Sequence, residues 1–232
     1  MGTRYGVCAR NKDISKISIN IKPQSNGYKT TRENMNDTSN VTNTHNGHGL
    51  VDLGLPSGTL WATCNVGATS PEQAGLYFAF GETEGFTAEQ VTSGVRAFDD
   101  ESYTAYSVSD NLTLEQDAAH VHMGGGWRIP SERQFKELID NCDDAWTYDY
   151  NGTGVAGRVL TSKINGNSVF LPAAGYGNSL SVIDKNTEGY YWSATGVTLD
   201  VARYLNFYSK YIDMGLTLFR HYGHSVRGVC KK

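Results

Sequence analysis

The chain lacks most of the features that would settle its class at once. No run approaches the roughly 18 consecutive apolar residues of a membrane helix, so no membrane span is expected. Neither His-Glu-x-x-His nor Cys-x-x-Cys spacing occurs, which removes two common metal and thiol signatures. No Gly-x-Ser-x-Gly elbow supports serine hydrolase chemistry. The triplet Gly124-Gly125-Gly126 leads into Trp127-Arg128-Ile129-Pro130 and not into Gly-Lys-Ser/Thr, so it reads as a turn into a core and not as a phosphate loop. Charge is scarce, at 19% of 232 residues, and the formal net charge of −4 leaves no basic footprint for nucleic acid. Arg4, Arg10 and Lys12 are not followed by an apolar segment, so no secretion signal is visible. No internal repeat of fixed period appears.

The charge that is present is unevenly placed. Residues 1–47 carry seven Lys or Arg against three Asp or Glu, net +4, and residues 48–232 carry thirteen against twenty-one, net −8. The first stretch is rich in Asn, Thr, Ser and Lys, and 24–47 has almost no large aliphatic side chain, so 1–47 reads as a flexible basic arm. Within it, residues 14–21 alternate Ile with polar residues and suit one strand, which could pair with the body or with another chain.

From residue 48 onward, short apolar segments are cut by Gly, Pro, Asn and Ser, as in 50–55, 60–66, 76–80, 168–171, 190–194, 204–207 and 225–230. Such segments predict a mainly β, α+β domain of short antiparallel strands, with two helices and long loops. Ser131 and Gln134 form a capping box after Pro130, and Phe135, Leu138, Ile139 and Cys142 follow at helical spacing. Thr113 and Gln116 offer a second box. Between Gly81 and Asp117 nine acidic residues and one Arg, Arg96, form an insertion without clear periodicity.

Several motifs together resemble one family. Residues 51–68, which include Leu55-Pro56-Ser57-Gly58-Thr59-Leu60-Trp61-Ala62, are similar to the opening of the Fibrobacter succinogenes major paralogous domain, common in Bacteroidetes. Gly125-Gly126-Trp127-Arg128-Ile129-Pro130-Ser131 resembles its central motif, Phe170-Leu171-Pro172-Ala173-Ala174-Gly175-Tyr176 its next, and Gly189-Tyr190-Tyr191-Trp192-Ser193-Ala194 and Gly223-His224-Ser225-Val226-Arg227 its closing strands. The resemblance implies a C-type-lectin-like fold related to formylglycine-generating enzymes, with the chain ends in paired strands and long loops displaying a binding face. Some relatives are targets of diversity-generating retroelements that rewrite the final segment. On this resemblance Trp61, Trp127, Arg128, Trp192 and Arg227 belong to the scaffold. The arm departs from the family's usual secreted lipoprotein start, and a bacterial surface or a phage particle is the suspected location.

The implied fold pairs the strands that carry Cys64 and Cys230, where a disulfide or two buried thiols would both fit, the redox compartment deciding. Cys142 reads as core and Cys8 lies in the arm. Six His fall in pairs, 45/48, 120/122 and 221/224, but the 120/122 pair diverges on a helix and the 45/48 pair lies in the arm, so no metal centre is expected. Asp110, Asn111, Glu115 and Asp117 could offer oxygens to Ca²⁺, yet no twelve-residue calcium loop is present and a solvated face is the favoured reading.

The residues that point to function lie between 190 and 227. Alternation places Leu205 and Phe207 on one face and Tyr204, Asn206 and Tyr208 on the other. Ile212 and Met214 can extend the buried set and leave Tyr211 and Asp213 outward. The stretch 216–224 reads as an aromatic loop that would expose an apolar patch unless it binds something or unless Leu216, Leu218 and Phe219 are core. Tyr and His among small polar residues resemble an antibody paratope, in which rigid rings give contact area at low entropy cost. Adenine-directed change of an AAY codon can reach Leu199, Val201, Arg203, Asn206, Tyr208, Tyr211, Leu216, Leu218, Phe219, His221 and Tyr222, but not Trp192, Lys210 or Met214. With Tyr204 and Asp213, these eleven form the expected ligand-binding set.

The leading expectation is therefore a non-enzymatic receptor- or adhesin-type protein for a protein or cell-surface glycan, without cofactor, assembled as an oligomer or tethered through its arm. The alternatives are an oxidase or metal-dependent enzyme like the formylglycine-generating group, and a structural subunit of an appendage or phage particle.

Overall fold

In the computed structural model the described residues are 43–105 and 111–232; the anticipated strand at 14–21 lies outside them. Pairing starts earlier than the expected boundary. Strand β1 (Asn43–His45) forms a hairpin with β2 (His48–Asp52), with His45 opposite His48. The turn between them is Asn46-Gly47, and both residues have positive φ, as a two-residue hairpin of this twist requires. Residues 43–47 thus belong to the folded body. Strand β3 (Thr59–Asn65) adds antiparallel to β2, with Val51 opposite Trp61.

The short β4 (Tyr77–Phe78) leads into the acidic insertion, whose described residues are more ordered than its lack of periodicity suggests. It contains α1 (Ala88–Thr92), capped reciprocally by Thr87 and Gln90. A Thr-x-x-Gln box was there to be read, but one apolar side chain, Val91, is too little to show helical periodicity. The Thr113 box opens only a 3₁₀ turn at Leu114–Gln116. Helix α2 (Ala118–Met123) has its own cap, Asp117, whose Oδ1 accepts from the His120 amide. With α3 (Glu132–Asn141), capped by Ser131 and Gln134, the described residues hold three α-helices where two were expected.

The remaining strands are antiparallel in nearly every pairing. β5 (Cys142–Thr147), β6 (Gly157–Ser162) and β7 (Ser168–Pro172) make a three-stranded sheet, and β8 (Tyr176–Asn178) and β9 (Ser181–Ile183) a hairpin. Gly175 before β8 has φ near +70°, and a Cβ there would collide with the Ile183 carbonyl, so this turn admits only glycine. β10 (Gly189–Gly196), β11 (Val201–Tyr208) and β12 (Tyr211–Phe219) form a meander. β13 (His224–Ser225) runs parallel to β10 and antiparallel to β4, giving the sheet order β12-β11-β10-β13-β4. The last strand, β14 (Arg227–Lys231), pairs with β3 and closes the order β1-β2-β3-β14, so both ends of the body share one sheet.

The meander separates two cores, which is why its strands read as nearly continuous apolar runs. Trp192, Ala202 and Tyr204 pack with Leu60, Trp127 and Met123 on one side; Tyr191, Leu205, Phe207 and Met214 pack with Trp61, Phe135 and Leu138 on the other. A third cluster, with Tyr77, Phe86, Phe98 and Tyr103, stabilises the acidic insertion.

Between the cores runs a buried polar seam. Arg227 donates Nε–H to Asn65 Oδ1 (2.9 Å) and its terminal nitrogens to the carbonyls of Ala62, Thr63 and Phe170, each at 3.0 Å. Asn65 Nδ2 donates to the carbonyl of Ala74 and to Tyr191 Oη, and Tyr191 donates to the Pro172 carbonyl. Trp61, Trp127, Trp192 and Arg227 are fully buried, whereas Arg128 is half-buried and pairs with His120 Nδ1 at 2.6 Å.

Candidate aromatic binding face

Register decides what each expected ligand residue can do. Opposite pairs across β11 and β12 are Ala202/Leu218, Tyr204/Leu216, Asn206/Asp213 and Tyr208/Tyr211, all on one face, while Val201/Phe219 and Arg203/Thr217 lie on the other. Period-two alternation alone would not give this set, because the register shifts between Tyr204 and Asn206 and carries the β12 residues with it. The stretch 216–219 is strand, not loop, since Leu216 to Phe219 pair with β11.

Exposure divides the set further. Leu199 is 67% exposed, Phe219 49%, Tyr208 39% and Leu216 37%, whereas Tyr204 and Asn206 are each only 6% exposed. The last two are corrected from outward to buried positions: Tyr204 stacks in parallel on Tyr190 (5.8 Å, 10°), and Asn206 Nδ2 turns in to the Gly189 carbonyl and Glu188. Val201, Arg203, Tyr211, Asp213, Leu218, His221 and Tyr222 are half-buried. Arg203 is spent on structure, with Nη1 on the Gly215 carbonyl at 2.5 Å.

The aromatic members are not scattered. Phe219 stacks on His221 (5.5 Å), His221 meets Tyr222 (4.5 Å), Tyr222 meets Tyr176 (5.6 Å), Tyr176 meets Tyr190 (4.6 Å), and Tyr190 reaches Tyr204. Six rings thus run without a break from the exposed end of β12 to the middle of β11. Tyr208 and Tyr211, opposite neighbours across β11 and β12, stack on each other at 5.5 Å. Sequence reasoning placed Tyr176 and Tyr190 in framework motifs, and nothing in a linear pattern shows that the β8–β9 hairpin brings Tyr176 into the row.

Carboxylates stand at both ends. At the outer end Leu199, Phe219 and His221 line a cavity of about 370 Å³ with Asp100 and Asp200, and His221 Nδ1 lies 3.7 Å from Asp100. At the inner end Asp184 and Glu188 approach the Tyr190 hydroxyl. Burial, and then Glu188, raises the Tyr190 phenol above its ordinary range; the same two causes push Tyr204 up to about 12. These hydroxyls stay protonated across the physiological range and act as hydrogen-bond donors.

Comparison with protein-family models, curated proteins and solved structures gives no match. Cys64, Cys142 and Cys230 are free thiols. Of the two readings left open for Cys64 and Cys230, the structure has the thiols, because β14 pairs Cys230 with Leu60, four positions and roughly 13 Å along β3 from Cys64. Burial raises the Cys142 thiol to about 11. His122 Nε2 is engaged by the Thr83 carbonyl and His120 by Arg128. Among the described residues no three His, Cys, Asp or Glu side chains converge as a metal site. Of the suggested calcium ligands, Asp110 lies outside the described residues, and Asp117 is buried with both oxygens on the Ile129 amide. No helix of the described residues is long and apolar enough to cross a membrane.

Proposed function

We propose that this chain is a non-enzymatic ligand-binding protein of receptor or adhesin type, a C-type-lectin-like scaffold displaying a variable face on its C-terminal strands. The observation that carries the reading is the unbroken row of rings from Phe219 to Tyr204, flanked by the exposed side chains of Leu199, Tyr208 and Leu216. Rings of this kind bury large area for few frozen torsions and keep a polar tip for orientation. Leu199 and Phe219 line one cavity, and Tyr208 and Leu216 stand exposed on one face of the β11–β12 pair. The ligand class is a protein or a cell-surface glycan, which a broad face suits better than a small metabolite.

The test is binding of labelled protein to a glycan array and to a panel of bacterial cell surfaces. Joint replacement of Tyr208, Tyr211 and Tyr222 with Ala is expected to abolish binding while the melting temperature stays within a few degrees. Undiminished binding, or unfolding, overturns the assignment. Diversification is tested in the neighbouring DNA, where a near-copy of the final coding segment differing at adenines, beside a reverse transcriptase, is the expected finding.

A further inference from the structure

The inner end of the ring row carries charge that the protein leaves unbalanced. The Tyr190 hydroxyl lies 2.8 Å from Glu188 Oε2 and 3.1 Å from Asp184 Oδ2. A phenol has one proton, so it serves one carboxylate at a time and turns a lone pair to the other. Asn206 adds a long N–H bond of 3.3 Å to the same Glu188 oxygen. Opposite Asn206 on β12, Asp213 takes the Tyr211 hydroxyl at 2.9 Å. Among the described residues no Lys, Arg or His forms an ion pair with Asp184, Glu188 or Asp213.

A second feature lies against the same rings. His224 is fully buried, and neither ring nitrogen has a hydrogen-bond partner. Its ring lies 5.1 Å from Tyr204, 5.6 Å from Tyr190 and 6.1 Å from Tyr176, meeting the first and last edge to face. Burial keeps its pKa well below the usual imidazole value, so His224 is neutral and does not supply the missing positive charge.

We infer that this cluster binds an organic ammonium group, seated on Tyr176 and backed by Tyr190 and Tyr204, with its charge met by Glu188 and Asp184. The inference rests on reading this sheet face as the ligand face and names the chemistry that face selects. Tyrosine faces attract a cation through the ring quadrupole, and a carboxylate at the rim adds Coulomb attraction in a half-dry setting. An anion would meet three uncompensated carboxylates. A neutral sugar would leave their charge as it is, and a bare metal ion would find too few convergent ligands. The ammonium group can belong to a lysine side chain of a protein partner, to an amino sugar, or to a quaternary ammonium head.

Titration calorimetry on the full chain at low salt separates these sources with three probes: Nα-acetyl-lysine methylamide, glucosamine and choline. Each is run beside an uncharged counterpart, which for choline is 3,3-dimethylbutan-1-ol and for glucosamine is N-acetylglucosamine. At least one charged probe is expected to saturate at or below about 10 mM and to bind about tenfold more tightly than its neutral counterpart. E188Q is expected to weaken that probe about tenfold, with D184N as a second variant and thermal melts confirming that each folds. V95A, at an exposed side chain in the insertion and outside the ring row, should leave probe binding unchanged. Absence of saturation by all three, equal binding of the neutral counterparts, or E188Q and D184N that fold and bind normally overturns the inference, as does stoichiometric Ca²⁺ binding that displaces the probes. Probe binding combined with full cell-surface binding by the Tyr208, Tyr211 and Tyr222 triple variant would sink the broader ligand-face reading and leave this one standing.

Discussion

His224 stacks on Trp192 with ring centroids 3.8 Å apart and 18° between the planes, in the middle of the sheet that bears the ring row. The imidazole is neutral there because burial lowers its pKa well below 6.5. An unfolded chain takes up the proton below pH 6.5 while the folded one does not, so stability falls as pH drops through that window, with a limiting slope of about 1.4 kcal/mol per pH unit. H224F removes the titrating group and two unpartnered nitrogens and keeps a stacking ring. Urea titrations at pH 7.5 and 5.0 should show a larger loss for the parent protein than for H224F; equal losses would refute the assignment.

Arg227 is the second buried ionisable group that the fold depends on. Met at this position would strand three backbone carbonyls and the Asn65 side-chain oxygen inside the seam. A loss of about 3 kcal/mol or more is expected for R227M, and R227K should also lose stability because an ammonium cannot span the same fork. Chemical denaturation measures both.

Tyr204 and Leu216 are opposite neighbours with opposite fates. Y204A is expected to cost about 3 kcal/mol or more by opening a cavity between Tyr190 and Trp192, and L216A under about 1 kcal/mol. Comparable costs for the two would contradict the burial that divides the face.

The thiols give a further check. With no bond between Cys64 and Cys230, the melting temperature of oxidised and reduced protein should coincide. Thiol labelling of the native protein should reach half-buried Cys64 well before Cys142, whose raised pKa leaves little thiolate at neutral pH. C64S should lower the number of early-labelling thiols by one.

Thr87 caps α1 through the box it shares with Gln90. T87A is expected to cost about 1 kcal/mol, read as an earlier melt or as faster amide exchange in the insertion.

Local chemistry made much of this legible. Ser131 and Gln134 announce α3, Phe135 and Leu138 its buried face, and Asn46-Gly47 is a hairpin signal inside a stretch whose composition suits an arm. The mixed class with mostly antiparallel strands followed from segment length and turn residues. Burial of Leu205, Phe207 and Met214 followed from alternation. What the sequence could not decide depends on contacts between distant elements. Cys64 and Cys230 were assigned to paired strands, but only the register of β14 on β3 separates them. Tyr204 and Tyr208 have the same parity, and only the approach of Tyr190 buries one and leaves the other in solvent. Tyr176, Asp184 and Glu188 lie outside or at the edge of the segment that composition marks, and the β8–β9 hairpin with the turn that follows it delivers them to it. A one-dimensional pattern fixes which side chains share a face; which part of that face stays open is set by what folds over it.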